Sequence, residues 1–361
     1  MRLQALIERY SDRLAQRYGQ ALLPSHRKAL DAILACRRQC GTFYAHCEPC
    51  HSHACVPLSC GHRSCPQCQH HLGTAWLERQ QDKLLPVTYF MVTFTLPAEL
   101  RGVAWQHQSV MYELLFKAAQ QTLLTIGRNN HGLELGMTAV LHTHKRDKGY
   151  HPHVHAVVPG GGLRTNEHGQ AWQPLSEDYL VNEFALAAVF RGIFLSLLFE
   201  QALPLPSGLP KQWVADVRTI GRGDKALRYL SNYLYRGVIS ENDIMVDRNG
   251  KVTFRYRESK TRQMRSQTVP AETFLWKLLT HVLPRGFRRV RDYGFLHGNA
   301  RVKLKRIQLL LRVRLKPKAV KPKGMRCREC AQPMQIDLVV PQSIPLCFRS
   351  NPITFAHEPM S

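Results

Sequence analysis

The chain has 361 residues and a hydrophobic content of 44%, enough for two or three domains with real cores and too much for global disorder. Its 50 Lys+Arg against 26 Asp+Glu leave a formal net charge of +24, which favours a polyanionic partner. No run of about 18 apolar residues appears, and the N-terminus MRLQALIERYSDRLAQRYG lacks the apolar stretch and cleavage site of a signal peptide, so no membrane span and a cytoplasmic protein are expected.

Residues 1–35 read as helix, with Leu3, Leu6, Ile7, Leu14, Leu30, Ile33 and Leu34 at three-to-four spacing. Residues 36–70 have little periodicity, and 71–85 return to a helical pattern. YFMVTFTL (89–96) is a β-branched and aromatic run stopped by Pro97, the mark of a buried strand. Residues 104–127 read as a helix ending near Gly127. MTAVLHTH (137–144) and HPHVHAVV (151–158) read as two strands joined by KRDKGY, the second closed by PGGG (159–162). An apolar helix is expected over 177–202 and a shorter one, with three tyrosines, over 224–235. Residues 244–256 predict a hairpin turning at Asn249-Gly250, and 271–283 a helix. From 301 to 326 there are eleven Lys/Arg and no acidic residue, with Pro317 and Pro322, so an extended basic segment is expected. The last thirty residues read as poorly structured. This order predicts an α+β fold: a central antiparallel sheet with helices near 87–240, preceded by a small metal-binding domain.

Eight of the eleven cysteines fall between Cys36 and Cys68, which in a large chain without a signal peptide points to metal rather than disulfides. Cys47-x-x-Cys50 and Cys65-x-x-Cys68 are two knuckles fourteen residues apart, and together they complete a tetrahedral thiolate site for structural Zn²⁺. Cys60 is an alternative member of that set. Cys36, Cys40, Cys55 and Cys60, with His46, His51, His53 and His62, hold the makings of a second site. Cys327-x-x-Cys330 is half a knuckle with only Cys347 nearby.

His151-Pro-His153-Val-His155 places imidazoles at alternate positions of a strand, with His153 and His155 about 6–7 Å apart on one face. Such a pair can hold a divalent cation. If the 145–150 loop closes a hairpin, His142 lies near His153 and supplies a third ligand, with His151 as the alternative. Neutral ligands leave coordination positions open for phosphate oxygens. Between 142 and 160 the only carboxylate is Asp147, in the loop, which argues against a metal hydrolase needing a nearby general base. Tyr229 and Tyr233 stand at i and i+4 and share a helix face. Alone, that spacing is equally a packing pattern, with Leu227, Leu230 and Leu234 as the buried stripe. Beside a metal site, a tyrosine hydroxyl can attack a phosphodiester and store its bond energy as phosphotyrosine.

HPHVHAVVPGGG, with the upstream LHTH, resembles the HUH motif of single-strand DNA endonucleases, and YLSNY resembles their paired-tyrosine motif. CGHRSCPQCQ (60–69), YFMVTFTLPAELR (89–101), VFRGIF (189–194), ALRYLSNYLYRGVIS (226–240) and LPRGFRRVRDYGFL (283–296) extend the likeness. Over roughly residues 30–335 the chain resembles the two-tyrosine rolling-circle transposases of the insertion-sequence ninety-one type. The resemblance implies an HUH-type fold, a catalytic divalent metal (Mg²⁺ or Mn²⁺) on His153 and His155, and Tyr229 and Tyr233 as nucleophiles. It also implies a 5′-phosphotyrosine intermediate and strand transfer between single-stranded DNA at the element ends and a target. With no GxxxxGK[ST] motif in the chain, a host helicase and replication machinery would be partners. Arg288, Arg289, Arg291 and Arg236 are the expected contacts to the DNA backbone, with Arg255, Arg257 and Lys260 as further candidates. The expected division is a helical and zinc-binding region (1–85), a nuclease domain (86–300) and a basic tail (301–361). Rival readings are a replication initiator or relaxase with the same chemistry, and a zinc-stabilised DNA-binding regulator without catalysis.

Overall fold

The computed structural model describes residues 2–68, 76–145, 147–167, 169–177, 179–223, 239–258, 261, 263–314 and 324–341. Its strands are β1 Thr42–His46, β2 His53–Pro57, β3 Thr88–Thr95, β4 Met137–His144, β5 Tyr150–Pro159, β6 Gly161–Asn166 and β7 Gly169–Pro174. They continue as β8 Val214–Arg222, β9 Ile244–Arg248, β10 Lys251–Arg257, β11 Met264–Pro270, β12 Val290–Tyr293 and β13 Gln335–Val340. The fold is α+β, and every strand pair described is antiparallel.

A five-stranded sheet ordered β12-β4-β5-β3-β8 forms the centre, with the histidine strand β5 in the middle. Strand alternation sorts its residues. Met137, Ala139 and Leu141 of β4, Val154, Ala156 and Val158 of β5, and Phe90, Val92 and Phe94 of β3 all join one core. The helices Gln108–His131 and Glu183–Phe199 cover that face with Tyr112, Leu115, Phe116, Phe190 and Phe194. The opposite face carries a smaller cluster, Trp76, Tyr89, Val140 and Val157, and it is this face that receives the histidines.

Two helix ends differ from expectation for local reasons. The helix Gln108–His131 passes through Gly127 and stops at Gly132, which takes a left-handed φ of 65°. Gly127 serves close packing instead: a Cβ there would meet the Leu135 side chain at 2.7 Å and the Leu133 carbonyl at 3.0 Å. The apolar helix begins at Glu183 rather than 177 because Asn182 caps it, accepting from Phe184 N and Ala185 N at 3.0 and 3.1 Å.

Residues 1–35 form two helices, Leu3–Tyr18 and Pro24–Ala35. Their buried stripe shares a core with Ile244, Val252, Phe254, Phe274 and Leu275, so the N-terminal helices pack on the β9–β11 sheet and the helix Ala271–Leu279. The basic segment is not extended throughout: Arg301–Leu310 is helical, because Leu304 and Ile307 fall on one face and bury against Leu85, Leu163, Phe295 and Leu296. Nor are the last thirty residues wholly without structure, since β13 pairs with β1. Shared cores and strand pairing thus cross both expected boundaries, near 85 and 300.

An aromatic hub joins these parts. Tyr18 stacks on Trp276 at 4.8 Å, Trp276 meets Trp105 at 5.6 Å, and Trp105 meets Tyr150, the first residue of β5, at 5.3 Å. His26 lies against both tryptophans at 5.8 and 5.9 Å. Its Nδ1 accepts from Leu23 N at 3.3 Å, its Nε2 is buried without a hydrogen-bond partner among the described residues, and burial pushes its pKa down to about 4. The neutral ring is therefore the one the fold accepts. With a folded pKa below the unfolded value of about 6.5, stability is full above that pH and falls as the pH drops towards 4, by up to roughly 3 kcal/mol for this group. Urea titrations between pH 7 and 4 should show a shallower stability loss for His26→Gln than for the wild type; equal slopes would show that His26 does not titrate against folding.

Candidate functional site

The register of β4 on β5 sets His142 directly opposite His153, and β5 carries His155 two residues further along the same face. The ring centroids of His142 lie 5.3 Å from His153 and 4.6 Å from His155, and those of His153 and His155 are 4.8 Å apart. One ligand nitrogen from each ring lies within 4.8 Å of the other two, so one cation can reach all three. Among the described residues this group contains imidazoles alone.

His151 stands outside the group. The ladder shifts between His142 and His144, which sets His144 opposite Tyr150 and inserts an extra residue in β5 at that point. The irregularity breaks the alternation that would have aligned His151 with His153 and His155. Of the two candidates for a third ligand, the geometry brings His142 in and leaves His151 aside.

Two neighbours orient the rings. Nδ1 of His153 donates to the His151 carbonyl at 2.7 Å, which fixes the tautomer and leaves the Nε2 lone pair free for a cation. Nδ1 of His155 lies 3.0 Å from the hydroxyl of Thr93, its register partner on β3. Burial is the largest cause holding all three rings neutral. It pushes His153 down to about 4 and holds His142 and His155 well below the usual histidine range. The field of Arg289 on His142 and His153, and of Arg218 on His155, acts the same way. Neutral imidazoles are the ligating form, so the donor set fits a divalent cation at neutral pH; nitrogen donors suit Mn²⁺ or Zn²⁺ better than Mg²⁺.

The histidine row continues to His144 and His281, whose rings are 5.1 Å apart. His281 is buried, with Nδ1 3.2 Å from the Thr143 hydroxyl and Nε2 donating to the Lys148 carbonyl at 3.1 Å. Nothing in its sequence neighbourhood marked it; only the fold brings it beside β4.

The expected DNA-contacting arginines separate. Arg288 is exposed. Arg289 prolongs the β12 edge, its Nε donating to the Leu141 carbonyl at 3.1 Å, and its charge acts on His142, His144, His153 and His281. Arg291 is committed to the fold: its guanidinium forms a two-pronged ion pair with Glu113 and lies over the Phe116 and Phe287 rings at 4.4 and 5.1 Å. It is thereby withdrawn from the role of phosphate contact. Tyr229, Tyr233 and Arg236 lie outside the described residues.

The four cysteines expected to form one site do not meet. Cys65 and Cys68 join Cys36 and Cys60, while Cys47 and Cys50 join Cys327 and Cys330. The reason is the β1–β2 hairpin. Its base is tied beside Cys36, where Leu58 N donates to Gly41 O and Arg37 N to Leu58 O at 2.9 and 3.2 Å. Five residues of β1 then carry Cys47 roughly 17 Å away from that base. In the first cluster Cys68 Sγ lies 3.6 Å from both Cys36 and Cys60 Sγ. A hydrogen bond from Cys60 is the largest cause pulling the Cys65 thiol down to about 6, the same contact is the largest cause raising Cys60, and burial pushes Cys36 up. Four convergent thiols, three of them buried, fit a tetrahedral structural Zn²⁺.

A thiol cluster involving the N-terminal region and an imidazole cluster on an antiparallel sheet are thus the two groups fitted to hold metal ions. Residues 6–96 match the model of a transposase zinc-binding domain, and residues 136–303 match the model of a putative transposase. A putative transposase from Sinorhizobium fredii is 33% identical over 321 residues, covering 79% of this chain and 79% of its own. The transposase for insertion sequence element IS801 of Pseudomonas savastanoi pv. phaseolicola is 26% identical over 267 residues, covering 68% of this chain and 65% of its own. Among solved structures, the conjugative relaxase TrwC, in a metal-free complex with oriT DNA, is 14% identical, covering 62% of this chain and 72% of its own with a TM-score of 0.27. The chain belongs to the transposase family of the insertion-sequence ninety-one type, with its N-terminal zinc-binding domain. Among the described residues no helix is long and apolar enough to cross a membrane.

Ring orientation gives a test of the imidazole site that needs no DNA. Calorimetric titration with Mn²⁺ should show binding lost in His153→Ala and weakened about ten- to hundred-fold in Thr93→Val, which removes only the group orienting His155. Unchanged affinity in His142→Ala would remove His142 from the ligand set.

Proposed function

We propose that this transposase cuts and rejoins single-stranded DNA by tyrosine attack at the imidazole site. The observation that carries the reading is the convergence of His142, His153 and His155, all held neutral, with the guanidinium groups of Arg289 and Arg218 acting on them and Arg218 itself paired with Asp216. Such a site attracts a phosphodiester, and among the described residues no carboxylate joins the three imidazoles in the ligand group. Asp147 is engaged in its own loop, accepting from Gly149 N at 3.0 Å.

A bound divalent cation, Mn²⁺ or Mg²⁺, would stabilise the charge that builds on the phosphate oxygens and the leaving oxygen. His153 and His155 hold their positions through the His151 carbonyl and Thr93, so little reorganisation is needed when substrate arrives. Tyr229 or Tyr233 would attack the scissile phosphorus. The new bond is tyrosine oxygen to phosphorus, the bond broken is phosphorus to the 3′ oxygen, and the phenolic proton ends on the released 3′-hydroxyl. The product is a 5′-phosphotyrosine, and reversal against a second 3′-hydroxyl rejoins the strand. Two tyrosines allow two successive cleavages without release of the first end, as rolling-circle transposition between element ends and target requires. Arg288 and Arg289 would contact the DNA backbone, and unwinding would fall to a host helicase.

The test is a denaturing gel of purified protein with labelled single-stranded DNA carrying the element's end, with and without Mn²⁺ or Mg²⁺. A covalent protein–DNA adduct should appear only with metal, should be lost in His153→Ala and in Tyr229→Phe/Tyr233→Phe, and should persist in at least one single tyrosine variant. Tight DNA binding by zinc-loaded protein, with no adduct on any end sequence, would make it a regulator instead.

A further inference from the structure

We propose that Cys47, Cys50, Cys327 and Cys330 bind a second structural zinc ion, which clips residues 324–341 onto the β1–β2 hairpin. Cys327 and Cys330 lie outside the matched zinc-binding domain, so this site is completed from the far end of the chain.

The sulfurs interlock across the two segments: Cys47 Sγ lies 3.4 Å from Cys330 Sγ, and Cys50 Sγ lies 3.5 Å from Cys327 Sγ. All four ligand atoms fall within 4.8 Å of one another. The two knuckles also share one backbone frame. Cys47 N donates to Ser52 O, and Cys327 N donates to Gln332 O, both at 2.8 Å. His51 N donates to Cys47 O at 2.8 Å, and Ala331 N donates to Cys327 O at 3.1 Å. In each, the residue after the second cysteine is left-handed without being glycine, His51 at φ 56° and Ala331 at φ 59°. Backbone strain of that kind, repeated at matching positions of two segments nearly three hundred residues apart, points to a common purpose. The Ser52 hydroxyl, 3.0 Å from Cys327 Sγ and 3.2 Å from Cys50 Sγ, can donate to thiolates of both knuckles, as groups around a metal commonly do.

Packing does not explain the pairing of β13 with β1. Every residue of β13 is exposed, and the local core comprises only Ala45, Cys47, Cys327 and Met334 as buried members. A strand of six residues with no buried side chain is marginal by itself. Beyond the ladder, the contact across the strands is the pair His46–Asp337. A tetrahedral thiolate site supplies what the core lacks.

The experiment loads the full-length chain anaerobically with Co²⁺ and reads thiolate-to-metal charge transfer, to which the histidine site contributes nothing. The wild type should saturate at two thiolate-bound equivalents. Cys327→Ser/Cys330→Ser and Cys47→Ser/Cys50→Ser should each lose half the signal, and all four substitutions together should lose no more than either pair. Cys36→Ser/Cys68→Ser should lose the other half, and the signal it retains should vanish on adding Cys327→Ser/Cys330→Ser. That last arm keeps the assignment testable even where a tail variant disturbs folding. Full signal in Cys327→Ser/Cys330→Ser would overturn the proposal. So would additive losses from the two pairs, or metal-free protein whose unreduced mass shows these four cysteines as disulfides. None of these readouts depends on DNA cleavage.

Discussion

The pairing of β4 with β5 is the constraint on which the site depends. Side chains alternate along a strand, so a slip of one residue would turn every histidine into the helical core and bring valines and leucines out to the metal-binding face. The register is held by burial on one side, where Leu141 and Val154, and Ala139 and Ala156, stand opposite each other beneath the helices. It is held again where β5 ends. Gly160 N donates to Thr88 O at 2.7 Å, and a Cβ on Gly160 would stand 2.8 Å from that oxygen. The Pro-Gly-Gly-Gly sequence is therefore more than a strand breaker; it lets β5 close tightly on β3 and turn directly into β6. A hydrophobic core on one face of the sheet thus positions the polar site on the other.

Burial then sets the chemistry. Imidazoles taken out of water lose protons readily, and mutual proximity and nearby guanidinium groups act in the same direction. Were the row exposed, it would be partly protonated near neutrality and the rings would repel a cation. The three imidazoles are thus held neutral, with the guanidinium groups of Arg289 and Arg218 beside them and Asp216 paired with Arg218. The same logic separates the arginines: Arg289 can act on the site because its guanidinium borders it, whereas Arg291, in contact with the Phe116 and Phe287 rings and paired with Glu113, braces β12 against the helix Gln108–His131.

What could be read from sequence followed from periodicity. MTAVLHTH and HPHVHAVV show apolar residues alternating with histidines, so strand, face and a His142–His153 neighbourhood were all legible. The hairpin at Asn249-Gly250 was equally plain, and both residues do take left-handed φ, 53° and 71°. Pairings between distant segments were not legible. Cys47 and Cys50 looked like partners of Cys65 and Cys68 because only fourteen residues separate the knuckles, while their spatial partners lie nearly three hundred residues on. β8 read poorly because it is largely exposed and β12 because it has only four half-buried residues, and Arg291 read as a DNA contact because a sequence shows its charge and not Glu113 beside it.

The cysteine clusters and the aromatic hub show how a chain with a small N-terminal region solves the problem of scale. Two helices and a hairpin of two five-residue strands bury too little surface to stand alone. The first thiolate cluster fastens the end of the helix Pro24–Ala35 to the knuckle at Cys65–Cys68, and those helices borrow the rest of their core from the β9–β11 sheet. Tyr18, His26 and Trp276 then carry that shared core to Trp105 and Tyr150, where β5 begins. The aromatic contacts thus tie the N-terminal helices to the start of the histidine strand. A thiol cluster fitted for zinc at one end and ring stacking at the other therefore do for the N-terminal region what a large hydrophobic core does for the central sheet.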